Sequence, residues 1–452
     1  MDLKNKLVTV IGLGNSGVNA AILAREAGAS VRGTDLHDTP SIRDAKKLLE
    51  GKGINVEIGG HTKGFIRGSG LVVVSPGVEA GSPALRWAGE FKIPVIGEME
   101  LGFGFCKGRI IAITGTNGKS TVTTLAGEIL KDGGVDAVVC GNIGNSLCGE
   151  IPRIKYNTWV LLEVSSFQLE RIEDFKPHIA VILNVTDDHM DRYRSFNEYI
   201  NEKLKIFANQ DKGDILIVNY DDKKLRGLAG KAKSKVLFFS RFEKTLGACL
   251  EGNQIWCGPD GRARKICGID DMRLKGLHNV ENVLACCLIG VIAGVKEGSI
   301  RDTVRNFKGL SHRFQAVGFI DGVEYIDDSK GTTVDSTCRA LESCAGPVIL
   351  IAGGKDKHSD YSVARDIVAR KVRDLVLIGE AKGAIKKALE GACAVHEVKD
   401  MFEAVVAAHK LAGTDCVVLL SPMCSSFDMF KDYRQRGEVF REAVERLSKT
   451  YV

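Results

Sequence analysis

Short apolar runs recur along the chain, and most of them break at a glycine, a serine or an amide before an amphipathic stretch begins. Residues 7–11, 31–34 and 71–75 read as strands near the N-terminus. Residues 110–114, 137–140, 159–164, 179–184, 215–219 and 236–240 read as strands in the middle, and 348–352, 375–378 and 417–420 towards the end. Most of these runs are apolar throughout rather than alternating, as strands buried on both faces are. Helical patterns lie between many of them, so the chain is expected to be α/β, with mostly parallel sheets covered on both sides. Residues 241–274 read as short strands around a G-P-D-G turn at 258–261. A helix starts near Leu277 and carries the longest apolar run, 283–295, which is too short to span a bilayer. A linker is expected over 301–309.

A length of 452 residues suits about three domains of roughly 150 residues each. The expected partition is a Rossmann-like domain over 1–96, a central domain of phosphate-loop type over 97–305, and a doubly wound α/β domain over 306–452. The formal net charge of +5 is small for this length, and no long single-sign run occurs, so no nucleic-acid partner is expected. The 13 cysteines include no C-x-x-C pair, which fits neither a disulfide framework nor a zinc site. A reducing cytoplasm is the expected setting, with no signal peptide and no membrane insertion.

Candidate chemistry is densest at 115–121, G-T-N-G-K-S-T. Here an apolar strand ends in a turn with Gly115 and Gly118, and Lys119, Ser120 and Thr121 open a helix. Backbone N–H groups at such a turn, with the helix dipole, form an anion site. Lys119 adds a full charge, and Ser120 offers a hydroxyl for Mg²⁺. The usual spacing G-x-x-x-x-G-K-[ST] needs a glycine where Ile113 stands. A plain strand-to-helix turn with a lysine on its rim is the alternative; nucleoside triphosphate binding is expected. Glu163 and Asn184 lie at the carboxyl ends of two further strands, where ligands bind in such sheets. The T-D-D-H-M-D segment at 186–191 follows.

A second glycine motif, G-x-G-x-x-G at 12–17, comes after the first strand, and Asp35 ends the next strand. On motif grounds this is a dinucleotide site, though other nucleotides suit the same helix N-terminus. Asn279 and Asn282 share a helix face, for ligand contact or merely for capping and solvation.

Five motifs together resemble the Mur ligase family over the length of the chain: G-T-N-G-K-S-T at 115–121, E-V-S-S-F-Q-L at 163–169, N-V-T-D-D-H-M-D-R-Y at 184–193, H-N at 278–279 and H-R-F at 312–314. Within the family, D-D-S-K-G-T at 327–332 and S-P-M-C-S-S-F-D at 421–428 are similar to the D-glutamate-adding members. The resemblance implies ATP-dependent ligation of D-glutamate to UDP-N-acetylmuramoyl-L-alanine through an acyl phosphate, with release of ADP and phosphate, in bacterial cell-wall precursor synthesis. It implies a cytoplasmic monomer acting on small molecules, with ATP and two Mg²⁺ ions.

The same resemblance implies roles for residues. Gly115, Thr116, Asn117, Gly118, Lys119, Ser120 and Thr121 would hold the ATP phosphates. Asn279, Asn282 and Arg313 would contact its adenine and ribose or phosphate, with Asp328 near the ribose. Ser120 and Glu163 would ligate one Mg²⁺ and His189 a second, with a water-orienting histidine as the alternative. Lys203 would carry a CO₂-derived carbamate; without the resemblance it reads as a surface lysine. Gly14, Asn15, Ser16, Gly17, Asp35, Leu36, Ser75, Pro76 and Gly77 would hold the UDP end, with Asn142 near the muramoyl part. Lys330, Thr332, Lys357, Ser426, Phe427 and Tyr433 would receive D-glutamate. A nicotinamide-dependent dehydrogenase is the rival from another class, and it leaves the loop at 115–121 unexplained. Folylpolyglutamate synthetase shares that loop but begins at it, and a non-catalytic nucleotide switch is a third alternative.

Overall fold

The computed structural model describes residues 1–186, 193, 195–274, 276–344, 346–357, 359–414 and 416–450. The chain divides into two compact units. The first comprises Met1–Val185, Tyr199–Cys267 and Leu284–Thr303, and the second Thr186–Glu198, Gly268–Val283 and Val304–Val452.

The first unit holds two sheets. Strands β1 (Leu7–Ile11), β2 (Ser30–Asp35), β3 (Asn55–Ile58), β4 (Leu71–Val74) and β5 (Val95–Gly97) pair in the order β3-β2-β1-β4-β5, all parallel. Val8, Val10, Ile11, Val72 and Val73 are wholly buried, because helices cover both faces. This accounts for the unbroken apolar runs. On one face Ala20, Ala21 and Ala24 of the helix Asn15–Glu26 let that helix lie close on the sheet. The strand order reverses between β1 and β4, and such a switch point opens a crevice at the strands' carboxyl ends.

The second sheet of this unit contains β6 (Arg109–Thr114), β7 (Ala137–Gly141), β8 (Trp159–Glu163), β9 (Ile179–Ile182), β10 (Ile215–Asn219), β11 (Lys235–Ser240), β12 (Gly247–Glu251), β13 (Gln254–Cys257) and β14 (Arg264–Gly268). Their order is β14-β13-β12-β11-β10-β9-β6-β8-β7. Strands β6 to β12 pair in parallel, and β12 turns back antiparallel onto β13. The G-P-D-G turn lies between β13 and β14 as expected, closed by the Gly261 N–H on the Gly258 carbonyl at 3.2 Å. The helix Glu98–Phe105 joins the two sheets. Its Glu100 carboxylate accepts from the N–H groups of Glu173, Asp174 and Phe175 at 2.9, 2.9 and 3.2 Å. Bonds to a charged acceptor contribute about 1.5–3 kcal/mol each, so this side chain is a strong staple.

In the second unit β15 (Gln315–Ile320), β16 (Val323–Asp327), β17 (Val348–Gly353), β18 (Val372–Ile378), β19 (Ala394–Glu397) and β20 (Val417–Leu420) form a sheet in the order β15-β16-β20-β17-β18-β19. β15 is antiparallel to β16, and the other pairs are parallel. The doubly wound sheet read from the sequence therefore carries an antiparallel edge strand. Apolar cores lie on both faces.

Two expected boundaries change. Residues 301–306 are not linker, because the helix Glu297–Asn306 runs through them. Ile300 and Val304 sit one turn apart and are buried, and the Arg301 Nε donates to the Ile266 carbonyl at 2.8 Å. A helix over 197–208 also fits the sequence pattern around Lys203, but the chain is α-helical only over Phe196–Leu204 and tightens to a 3₁₀ turn over Lys205–Phe207. No helix among the described residues is long and apolar enough to cross a membrane.

Candidate active site

β6 delivers the phosphate-loop segment from the middle of its sheet, between β9 and β8. Gly118 caps the helix Lys119–Asp132 with φ of 84°, a backbone region that favours glycine. The first bond of the helix ladder runs from the Val122 N–H to the Gly118 carbonyl at 2.9 Å. The N–H groups of Lys119, Ser120 and Thr121 precede it, at the positive end of the helix. Thr116 and Asn117 behave differently from the expectation that loop N–H groups face the ligand. Thr116 N–H donates to the Asn184 carbonyl at 3.0 Å and Asn117 N–H to Asn184 Oδ1 at 2.8 Å. Asn184 Nδ2 returns a bond to the Asn117 carbonyl at 3.1 Å. Asn184, at the end of the β9 run, thus braces the loop rather than standing open as a ligand.

Lys119 folds back on its loop, its Nζ donating to the carbonyls of Gly115 and Thr116 at 2.9 and 2.7 Å. Lys203 is not a surface lysine: it is 2% exposed, and its Nζ donates to the same Gly115 carbonyl at 3.0 Å. Tyr199, one turn earlier on the helix, lies beneath this ammonium at 4.7 Å, and its hydroxyl meets Thr116 Oγ1 at 3.2 Å.

Glu163, at the end of β8, is 2% exposed. Its Oε1 accepts from Asn142 Nδ2 at 2.8 Å, while Oε2 is buried with no hydrogen-bond partner among the described residues. A buried carboxylate oxygen left without a donor is costly. A cation offsets that cost, and a carboxylate with the buried hydroxyl of Ser120 is the hard oxygen set that Mg²⁺ takes together with water. These residues fit the metal. Among the described residues no group of three or more His, Cys, Asp and Glu side chains gathers as a metal cluster. The T-D-D-H-M-D segment from residue 187 on, His189 included, lies outside the described residues.

The crevice at the β1/β4 switch point is a cleft of about 720 Å³. All residues expected at the UDP end line it except Gly17, and Asn142 lines it too. Gly17 serves packing instead, since a Cβ there would stand 1.8 Å from the Gly12 carbonyl oxygen. Asp35 shapes the loop: its Oδ2 accepts from the Leu13 N–H at 2.6 Å and Oδ1 from the His37 N–H at 2.9 Å. The Ser75 hydroxyl donates to the Gly12 carbonyl at 2.7 Å. His61 also lines this cleft, and sequence reasoning missed it. Recognising β3 as a strand would have placed G-G-H at 59–61 at a strand end.

In the second unit Asn279 and Asn282 are both 6% exposed and joined by a 3.0 Å bond from Asn282 Nδ2 to Asn279 Oδ1, so solvation does not describe them. Asp328 faces inward. Its Oδ1 accepts from the Phe314 N–H at 3.2 Å and its Oδ2 from the Ser421 hydroxyl at 2.8 Å. Burial pushes its pKa up to about 7, against the pull of that hydroxyl and of nearby Arg313. Lys330 Nζ stands over the Tyr433 ring at 5.0 Å, and the Thr332 N–H donates to the Lys330 carbonyl at 2.9 Å. Ser426 is buried, whereas Phe427 is 72% exposed. Lys357 is half-buried, next to a turn held by the Tyr361 hydroxyl on Asp356 at 2.8 Å.

Arg436 ties these segments together, and nothing in the sequence singled it out. It is fully buried, with Nε on Ser329 Oγ at 3.0 Å, Nη2 on the carbonyls of Ser329 and Cys424 at 2.8 and 3.1 Å, and Nη1 on Ser425 at 3.2 Å. Burial lowers its pKa to about 10, and it stays protonated at neutral pH.

Three family models match the chain: the Mur ligase MurD-like N-terminal domain over 6–97, the Mur ligase middle domain over 113–290 and the Mur ligase glutamate ligase domain over 312–424. The UDP-N-acetylmuramoylalanine–D-glutamate ligase of Koribacter versatilis is 42% identical over 450 residues, covering 99% of each chain. That of Acidobacterium capsulatum is 43% identical over 448 residues, covering 98% of this chain and 97% of its own. Among solved structures, a pseudomurein peptide ligase type C from Methanothermus fervidus superposes with a TM-score of 0.61 at 18% identity, over 98% of this chain and 100% of its own. UDP-N-acetylmuramate-alanine ligase from Thermotoga maritima gives 0.60 at 20% identity, over 98% and 99%. The folds agree, the family models span most of the sequence, and relatives above 40% identity run its full length: the chain belongs to the Mur ligase family.

Proposed function

We propose that this protein joins D-glutamate to UDP-N-acetylmuramoyl-L-alanine at the expense of ATP, the activity named in its full-length relatives. One observation carries the reading to these residues: Glu163 spans two functions. Its Oε1 takes a bond from Asn142, which lines the β1/β4 cleft, and its Oε2, on the strand that pairs with β6, is buried without a partner among the described residues. A carboxylate so placed links a nucleotide-sugar cleft to a phosphate loop.

A carboxylate is a poor acylating agent because its leaving group would be oxide; phosphorylation by ATP converts that group into phosphate. Phosphoryl transfer asks mainly for positioning and charge neutralisation. Ser120 and Glu163 would hold Mg²⁺, which offsets the repulsion between the anionic nucleophile and the γ-phosphate. Lys119 exchanges its loop carbonyls for phosphate oxygens, and the helix N-terminus behind it favours the same charge. The second Mg²⁺ site and the carbamate on Lys203 belong to the reading, as does a monomer working in the cytoplasm. In the second unit Lys330, Thr332, Lys357, Ser426, Phe427 and Tyr433 are assigned to D-glutamate, whose two carboxylates call for cations.

A screen of amino acids for ADP release tests the reading. Release is expected to require both UDP-N-acetylmuramoyl-L-alanine and D-glutamate. Lys330→Ala and Lys357→Ala should each raise the KM for D-glutamate about tenfold or more while leaving that for ATP near the parent value, as loss of uniform binding does. ADP release with a different amino acid would replace D-glutamate, and a KM rise confined to ATP would move that lysine to the phosphates.

A further inference from the structure

His61 follows β3 and lines the β1/β4 cleft. Its Nδ1 stands 2.8 Å from Thr34 Oγ1, and that oxygen stands 3.0 Å from Glu57 Oε1. Glu57 also accepts from the Thr62 N–H at 3.0 Å and from the Thr62 hydroxyl at 2.9 Å, so both of its oxygens act as acceptors. A carboxylate only accepts, and a threonine hydroxyl has one proton to give. Thr34 therefore donates to Glu57 and accepts from His61, so Nδ1 of the imidazole carries the proton. In the neutral ring Nε2 is then an acceptor. The charged groups around the ring are Glu57 on β3, Asp35 on β2 and His37 just beyond it; burial outweighs the two carboxylates and holds the pKa of His61 below its usual 6.5.

Uracil presents an acceptor, a donor and an acceptor along its pairing edge, the donor being N3–H. Cytosine presents a lone pair at the same N3. We propose that His61 Nε2 accepts the N3–H of the uracil ring and makes the cleft selective for uridine over cytidine nucleotides. The inference rests on the reading that the cleft takes a UDP group. Against cytosine two lone pairs would face each other in a partly buried place, an arrangement that leaves both acceptors unsatisfied. The tautomer is set by the Thr34–Glu57 relay, so the selectivity is built into the sheet edge rather than into a mobile side chain.

Binding of UDP and CDP to the full-length protein tests this by calorimetry. The parent is expected to prefer UDP by about 10–100-fold, and His61→Ala to lose at least about tenfold of that ratio. His61→Gln, whose amide offers both a donor and an acceptor, should keep UDP binding and likewise narrow the ratio. Protonation makes Nε2 a donor, so the parent's preference should shrink as pH falls below 6.5, while His61→Gln shows no such trend. An unchanged UDP/CDP ratio in His61→Ala that still binds UDP would overturn the inference, as would a parent ratio that stays flat while NMR shows the His61 ring taking up its second proton. No UDP binding by the parent would overturn the reading of the cleft as well, and the parent alone reveals that case.

Discussion

Lys119→Ala is expected to lower ligation by about 10²–10³-fold or more while the protein stays folded. The loss follows from removing a full charge aimed at developing phosphate charge, where a single such donor is worth that factor. The survival of the fold follows from what Lys119 holds now. It is half-buried, and its Nζ donates to the carbonyls of Gly115 and Thr116 in its own loop. Losing these bonds costs at most about 1.5–3 kcal/mol each, and Asn184 continues to brace the loop through Thr116 and Asn117. Thermal unfolding measured beside turnover checks both halves. Activity within tenfold of the parent would remove the loop from the phosphate site.

Lys203 should be as sensitive, in a way that charge alone does not explain. Lys203→Ala and Lys203→Arg are both expected to lose most activity, about 10²-fold or more if the group is needed only in the transition state. A plain ammonium would repel Mg²⁺, whereas a carbamate formed from the amine and CO₂ is an anion with two oxygen donors. Its formation needs a neutral amine. Lys203 is 2% exposed, and its Nζ stands at the Gly115 carbonyl beside Lys119, so a carbamate there would lie at the phosphate loop. Arginine keeps the charge and cannot form the carbamate. Activity should fall in CO₂-depleted buffer and return with bicarbonate, and ¹³CO₂ should give a carbamate carbon signal that Lys203→Arg lacks. Full activity of Lys203→Arg would refute the assignment.

The parts of the fold legible in the sequence were those whose signal is local. Fully buried parallel strands such as β6 and β20 are unbroken apolar runs, and they end in the glycines and amides that line sites. Edge strands are half solvated and carry mixed residues; β3, β15 and β19 therefore gave no clear run. The strand–turn–helix geometry at the phosphate loop was legible despite Ile113, because strand, turn glycines, lysine and helix coincide. Long-range roles were not. Lys203 looks like any lysine in a charged run until the helix Phe196–Leu204 turns it inward with Tyr199. Arg436 reads as a surface charge on an amphipathic helix, yet it joins two loops, at Ser329 and at Cys424, that are far apart in sequence. The bonding of Thr116 and Asn117 to Asn184 depends on β9 lying beside β6, which no local pattern states.

The account turns on activation of the substrate carboxylate by phosphoryl transfer, and oxygen tracing measures that directly. UDP-N-acetylmuramoyl-L-alanine labelled with ¹⁸O in its alanyl carboxylate should, on ligation to D-glutamate, pass one labelled oxygen per turnover into inorganic phosphate released alongside ADP. Ligation that yields unlabelled phosphate, or AMP and pyrophosphate in place of ADP and phosphate, would contradict it.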